Sequence, residues 1–262
     1  MCIRDRVEIL RGPASALYGS DGIAGAVSFT SKDPADFIEA GRNFGARARI
    51  GYNSADEGWT EGLALAGRSG AFSGLLAYTR RDAQETENMA ETGGVGAART
   101  QPNPQDFASN AVLAKLVWDV NPDHVVRLTY DHFDQDMSGD ALSTRGSSTM
   151  AMPGRTTITT VNQVLAEDET QRDRVSLDWR FSDFLGLDKG SVAGFWQEAT
   201  TRQFTFEDRD ITTIVGAAPP ATVSGDRTRD ATFDNAVWGL AAQGSKSCLL
   251  YTSDAADDLL CV

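Results

Sequence analysis

Arg174-Val175-Ser176-Leu177-Asp178-Trp179-Arg180-Phe181 changes character at every step. In a strand, successive side chains point to opposite faces, so Val175, Leu177, Trp179 and Phe181 share one face, and Arg174, Ser176, Asp178 and Arg180 the other. Such a strand separates two different environments. The same period recurs upstream. Phe44, Ala46, Ala48, Ile50 and Tyr52 oppose Arg47 and Arg49; a run opening at Trp59 carries Leu63 and Leu65; Phe72, Leu76 and Tyr78 share a parity. Val112, Leu116, Trp118 and Val120 form another apolar face, and Val126, Leu128 and Tyr130 oppose Arg127, Thr129 and Asp131. Downstream, residues 191–206 and 233–243 read as further strands, so the chain reads as all-β.

The connections alternate in length. Joins near 67–71, 121–124 and 184–190 are short, the first two marked by Gly67-Arg68-Ser69-Gly70 and Asn121-Pro122-Asp123. Stretches near 82–109, 134–171 and 207–232 read as loops of about 25–38 residues, unusual inside a compact soluble domain. Short turns at one end and long loops at the other are the pattern of an outer-membrane β-barrel. Tyr52, Trp59, Phe72, Tyr78, Trp118, Tyr130 and Trp179 sit near run ends, as interfacial aromatics do. A soluble β-sandwich also alternates, but with shorter strands and loops. The pattern favours the barrel and leaves the sandwich as the alternative.

Composition narrows the function classes. The 262 residues carry 24 Lys+Arg against 37 Asp+Glu, a formal charge of −13. That balance argues against nucleic acid as a partner. No run of about 18 apolar residues offers a transmembrane helix. The three cysteines, Cys2, Cys248 and Cys261, lie near the ends, so no interior disulfide or cysteine metal site is expected. Gly-x-Ser-x-Gly, His-Glu-x-x-His and Gly-Lys-Ser/Thr signatures are absent, so no catalytic residue is assigned and an enzyme is not expected. The acidic groups Asp131/Asp134/Asp136 and Glu167/Asp168/Glu169 lack EF-hand spacing and read as solvated charge, with no metal site expected.

Residues 7–34 form a strand–turn–strand unit too small to hold a core. Val7–Leu10 reads as a strand stopped by Gly12-Pro13, Ala14–Tyr18 as one helical turn, and Ala26–Thr30 as a second strand ended by Lys32-Asp33-Pro34. Gly19, Gly22 and Gly25 permit positive φ and close backbone approach between them. The strings Val7-Glu8-Ile9-Leu10-Arg11-Gly12-Pro13, Ala16-Leu17-Tyr18-Gly19-Ser20 and Gly22-Ile23-Ala24-Gly25-Ala26-Val27 resemble the end of the plug domain of TonB-dependent outer-membrane receptors. In that family the plug precedes the first barrel strands, which is the order here. Ser28-Phe29-Thr30-Ser31-Lys32-Asp33-Pro34-Ala35-Asp36, and Leu128 to Asp136 continuing to Asp140-Ala141-Leu142-Ser143, look like the haem and haemoprotein receptors.

The resemblance implies a plug end over residues 7–36, followed over 37–244 by seven or eight strands of a transmembrane antiparallel barrel of about 22. Such a piece does not close and leaves two sheet edges. It further implies a receptor in the outer membrane of a Gram-negative cell, embedded in lipid, that imports haem, in some cases from haemoglobin. A ferric siderophore or another nutrient is the alternative cargo. Energy would come from the TonB–ExbB–ExbD complex through residues N-terminal to this sequence. Haem is cargo here, not a covalently bound cofactor. Residues 1–6 (MCIRDR) and 245–262, ending CLLYTSDAADDLLCV, resemble translated sequencing adapters and are expected to be foreign to the native protein; a short helix at Ala255–Leu260 is the alternative.

The plug residues expected to serve structure or gating are Glu8, Arg11, Gly12, Pro13, Tyr18, Gly19, Gly22 and Gly25. Glu8 and Arg11 are expected to pair with lumen charges such as Arg47, Arg49, Asp131 or Arg180. His124 lies beside a short turn. His132 shares parity with Leu128 and Tyr130, so a structural role is preferred over haem ligation, for which it is the remaining candidate. Met89, Met137, Met150, Met152 and Phe107 are read as loop residues available to an apolar ligand or a protein partner.

Overall fold

The computed structural model describes residues 4–11 and 25–247. Gly12, Pro13, Tyr18, Gly19 and Gly22, the helical turn at 14–18 and the tail from 248 lie outside the described residues. Strands β1 (Arg4–Arg11) and β2 (Gly25–Ser31) form an antiparallel pair. β1 begins within the segment set aside as 1–6. A 3-10 turn, Pro34–Asp36, follows, with Pro34 at its start where a missing N–H costs nothing.

The rest is a single antiparallel sheet. Its strands are β3 (Phe44–Asn53), β4 (Gly58–Ser69), β5 (Phe72–Gln84), β6 (Gln105–Asn121), β7 (His124–Asp140), β8 (Gly146–Met152), β9 (Arg155–Phe184), β10 (Leu187–Val215) and β11 (Ala221–Ser245). The order is β3-β4-β5-β6-β7-β9-β10-β11, with β8 paired to β9 beyond the end of β7. This is the up-and-down wall of a barrel, open between β3 and β11 among the described residues.

The short joins are tight turns. Gly70 takes φ 57° between β4 and β5, and Leu185 and Gly186 take φ 54° and 77° between β9 and β10. The Asp123 amide donates to Asn121 Oδ1 at 2.9 Å, closing the β6–β7 turn. The expected turn over 184–190 is therefore shorter, because β10 already begins at Leu187.

The larger correction concerns the long loops. Only 85–104 lacks regular structure; 134–171 and 207–232 consist mostly of the continuing β7, β9, β10 and β11 and of β8. Phe107 and Met137 are strand residues, as are Met150 and Met152 in β8. Water bathes both faces of these extensions, so apolar alternation disappears. The β-branched run Thr156-Thr157-Ile158-Thr159-Thr160-Val161 retains the strand preference.

Register assigns every side chain to a face. Across the sheet, Leu65, Leu76, Ala114, Tyr130, Val175, Trp196 and Trp238 stand in one row. Their face carries the large apolar residues, yet they are exposed: Trp59 is 52% exposed, Phe72 49% and Leu116 47%. The opposite face holds the small residues Ala64 and Ala77, both at 0%. Phe37 and Ile38 pack on them together with Ala66, Leu75 and Leu113. The sheet is inside out relative to a soluble protein: its core lies on the inner face, beneath Phe37 and Ile38, and its apolar surface faces outward. A sandwich would bury that surface against a second sheet.

Candidate functional site

The inner face has two parts. Over β4–β6 it is covered by the tether, residues 31–38. Lys115, between the inner-facing Leu113 and Val117 on β6, has a side chain only 3% exposed. Its ammonium donates to the carbonyls of Ser31 (3.0 Å) and Lys32 (2.9 Å) and to Asp33 Oδ1 (2.9 Å). Arg127 on β7 donates to Asp33 Oδ2 at 2.6 Å and to Asp178 Oδ1 on β9 at 2.7 Å. Arg180 Nε lies 3.1 Å from the same Asp178 oxygen. Burial pushes the Asp33 carboxyl up, but the hydrogen bonds and charges of Lys115 and Arg127 outweigh it and hold the group below its ordinary value of 3.8. Two strands, β6 and β7, thus grip one carboxylate of the tether, and β9 braces Arg127 through Asp178. A lone lysine in an inner-facing apolar set was the available signal; neither Lys115 nor Asp33 is singled out by the sequence alone.

Over β7, β9 and β10 the inner face is charged. From Arg180 upward, the inner positions of β9 read Arg180, Asp178, Ser176, Arg174, Arg172, Thr170 and Asp168. The outer positions read Trp179, Leu177, Val175, Asp173, Gln171, Glu169 and Glu167. Register therefore separates most charges of β9: the arginines face in, and of the acids above the apolar band Asp173, Glu169 and Glu167 face out while Asp168 faces in. The strands β10–β11 repeat this, with Arg227 and Arg229 inward and Asp226, Asp230 and Asp234 outward. Arg202 is the outward exception; its hydrogen bonds hold the Asp230 carboxyl below its ordinary value. Several inner arginines lie over aromatic rings: Arg47 over Phe37 (5.2 Å), Arg81 over Phe107 (5.3 Å), Arg172 over Phe133 (5.8 Å) and Arg174 over Phe195 (4.7 Å).

The structure places the expected site residues as follows. Glu8 lies opposite Ser28 in β1–β2, and Arg11 is exposed opposite Gly25, whose φ is 149°. Arg47 and Arg49 are on the inner face of β3. Asp131 accepts from Arg172 at 2.8 Å, and Arg180 meets Asp178, so both are engaged within the wall. His132 is on the outer face; its Nδ1 is 2.8 Å from Asp173 Oδ1, and Tyr130 donates to that oxygen at 2.7 Å. His124 stacks on Trp179 (5.9 Å) and meets Phe184 edge-on (5.4 Å) at the lower rim. The two acidic triplets are each divided between faces: Asp131 and Asp168 point in, while Asp134, Asp136, Glu167 and Glu169 point out.

No family model matches the chain. Transferrin-binding protein A of Haemophilus influenzae is 42% identical over 81 residues, 31% of this chain and 9% of that protein. The hemin receptor of Yersinia pestis is 28% identical over 155 residues, 58% of this chain and 22% of that protein. Among solved structures, the FrpB iron transporter of Neisseria meningitidis superposes with a TM-score of 0.46 at 16% identity, over 92% of this chain and 49% of that one. The chain thus spans about a tenth to a fifth of the length of these curated relatives. Over these stretches the chain is similar to transferrin-binding protein A and to hemin receptors.

Proposed function

We propose that this chain forms the plug end and the first wall strands of a receptor that imports haem across the outer membrane. The single observation that carries the reading is the extent of the hemin-receptor match. At 155 residues it is far longer than the plug end, so barrel strands are included. In this reading the outward apolar band faces lipid, and the arginine-bearing inner face borders the passage. Residues 7–36 act as plug and 37–244 as wall. Energy is drawn from the inner membrane through TonB, since the outer membrane holds no nucleotide supply of its own. The cargo is haem, taken free or from a haemoprotein such as haemoglobin.

The test is growth of a haem-requiring Gram-negative host without its own haem receptor, carrying the complete reading frame. Growth on hemin that disappears when TonB is deleted supports the proposal. Failure on hemin with TonB-dependent growth on a ferric siderophore or ferric transferrin removes haem and keeps the receptor.

A further inference from the structure

We infer that Arg172 and Arg174 on β9, flanked by Phe133 and Phe195, form a site for the carboxylates of a flat apolar ligand. The inference rests on the haem reading and deepens it, because haem is a planar apolar ring bearing two carboxylates. Two residues apart on one strand face, the two arginines have Cα atoms roughly 7 Å apart. Asp131 engages Arg172 at 2.8 Å, so the strip has two guanidiniums and one carboxylate. Among the described residues Arg174 makes no ion pair and rests on the Phe195 ring at 4.7 Å. Its inner neighbours are Gln197 opposite on β10, Arg172 and Ser176 along β9, and Asp131 opposite on β7, whose carboxylate is drawn to Arg172 and leaves the pair of arginines with one positive charge in excess. Asp168 is the nearest inner acid above, beyond Thr170.

Height in the wall also fits. On the outer face of β9 the apolar band ends at Val175, and Asp173 already lies above it. Arg174 and Arg172 therefore sit where the sheet leaves the lipid on its longer-strand side, which in this architecture faces outside the cell. A ligand entering from outside reaches them below the upper extensions of β9 and β10, at the level where the wall meets the apolar band. Arginine presents a planar fork suited to carboxylates, and the adjoining rings offer apolar faces.

The test uses the complete receptor in detergent, titrated with haem, haem dimethyl ester and ferric citrate. Removing a charged hydrogen-bond partner weakens binding by about tenfold or more. R174Q is therefore expected to weaken haem about tenfold and to leave the dimethyl ester unchanged, with R174K recovering part of the loss. R172Q/R174Q weakens haem further; heat-modifiable gel mobility checks that both variants remain folded. Equal affinity of wild type and R174Q for haem overturns the site and leaves the haem reading standing, as does an equal loss for haem and its ester. A wild type that ignores haem but binds ferric citrate, and loses it in R174Q, overturns haem as cargo and keeps the arginines as a carboxylate site. Binding of none of the three overturns both.

Discussion

The same wall presents two inner surfaces. Under the tether, β4–β6 offer Ala64, Ala66, Ala77 and Leu75, with one buried cation, Lys115. Around the barrel, β7, β9 and β10 offer Asp131, Arg172, Arg174, Asp178 and Phe195 at the equivalent inner positions. The outer faces of the two regions do not differ in this way; both carry Leu, Val and Trp. What an inner position holds is therefore set by what covers it. A covering segment demands small apolar residues and a matched charge, whereas an open lumen tolerates and uses charge.

If that contrast is correct, the largest effect should come from the covered half. Lys115→Met leaves two tether carbonyls and part of Asp33 without their donor. Breaking a buried pair costs about 3–5 kcal/mol, and Asp33 retains Arg127, so about 3 kcal/mol is expected. Thermal unfolding of the complete receptor in detergent measures it. Loss of Arg174 in the open half should leave stability within about 0.5 kcal/mol. Equal losses at the two positions would erase the distinction.

Packing gives the next test. A Cβ on Gly45 would collide with the Phe37 carbonyl oxygen, and Ala66 is only 2% exposed beneath the same segment. Gly45→Ala or Ala66→Leu should cost about 1–3 kcal/mol by overpacking. Ala193→Leu, on the inner face of β10, should change stability by less than about 0.5 kcal/mol. Denaturant midpoints of the three variants decide the matter. A tolerated Ala66→Leu would mean that the tether does not press on the wall.

Much of this was legible in the sequence, for a physical reason. In the proposed placement, strands β3 to β7 and the lower parts of β9 to β11 cross between lipid and lumen, and that difference in solvent writes alternation into residues such as 174–181. Above the lipid both faces meet water. Alternation fails there, so β8 and the upper reaches of β7, β9, β10 and β11 read as loops. Charge segregation was present in Glu167–Arg174 but depended on register: Arg172 and Asp173 are adjacent in sequence and opposite in space. The Lys115–Asp33 grip was not legible, because it joins positions 82 residues apart through a tether whose course no local pattern records.

The last test addresses the electrostatics of the grip. Asp33 is held below 3.8 in the folded receptor because Lys115 and Arg127 favour its charged form. A carboxyl depressed in this way contributes stability above its unfolded value, and that contribution is lost as pH falls through the lower, folded value. Wild type should therefore exceed Asp33→Asn in thermal stability by a constant margin from pH 7 down to about 4, and the margin should close only below that. The isosteric amide keeps the shape and removes the charge, so the margin reports the ion pairs and not the packing. A margin that stays constant or widens as pH falls below 4 would show that the carboxyl is not depressed, and the tether would then be held by its apolar contacts and by the two carbonyls on Lys115.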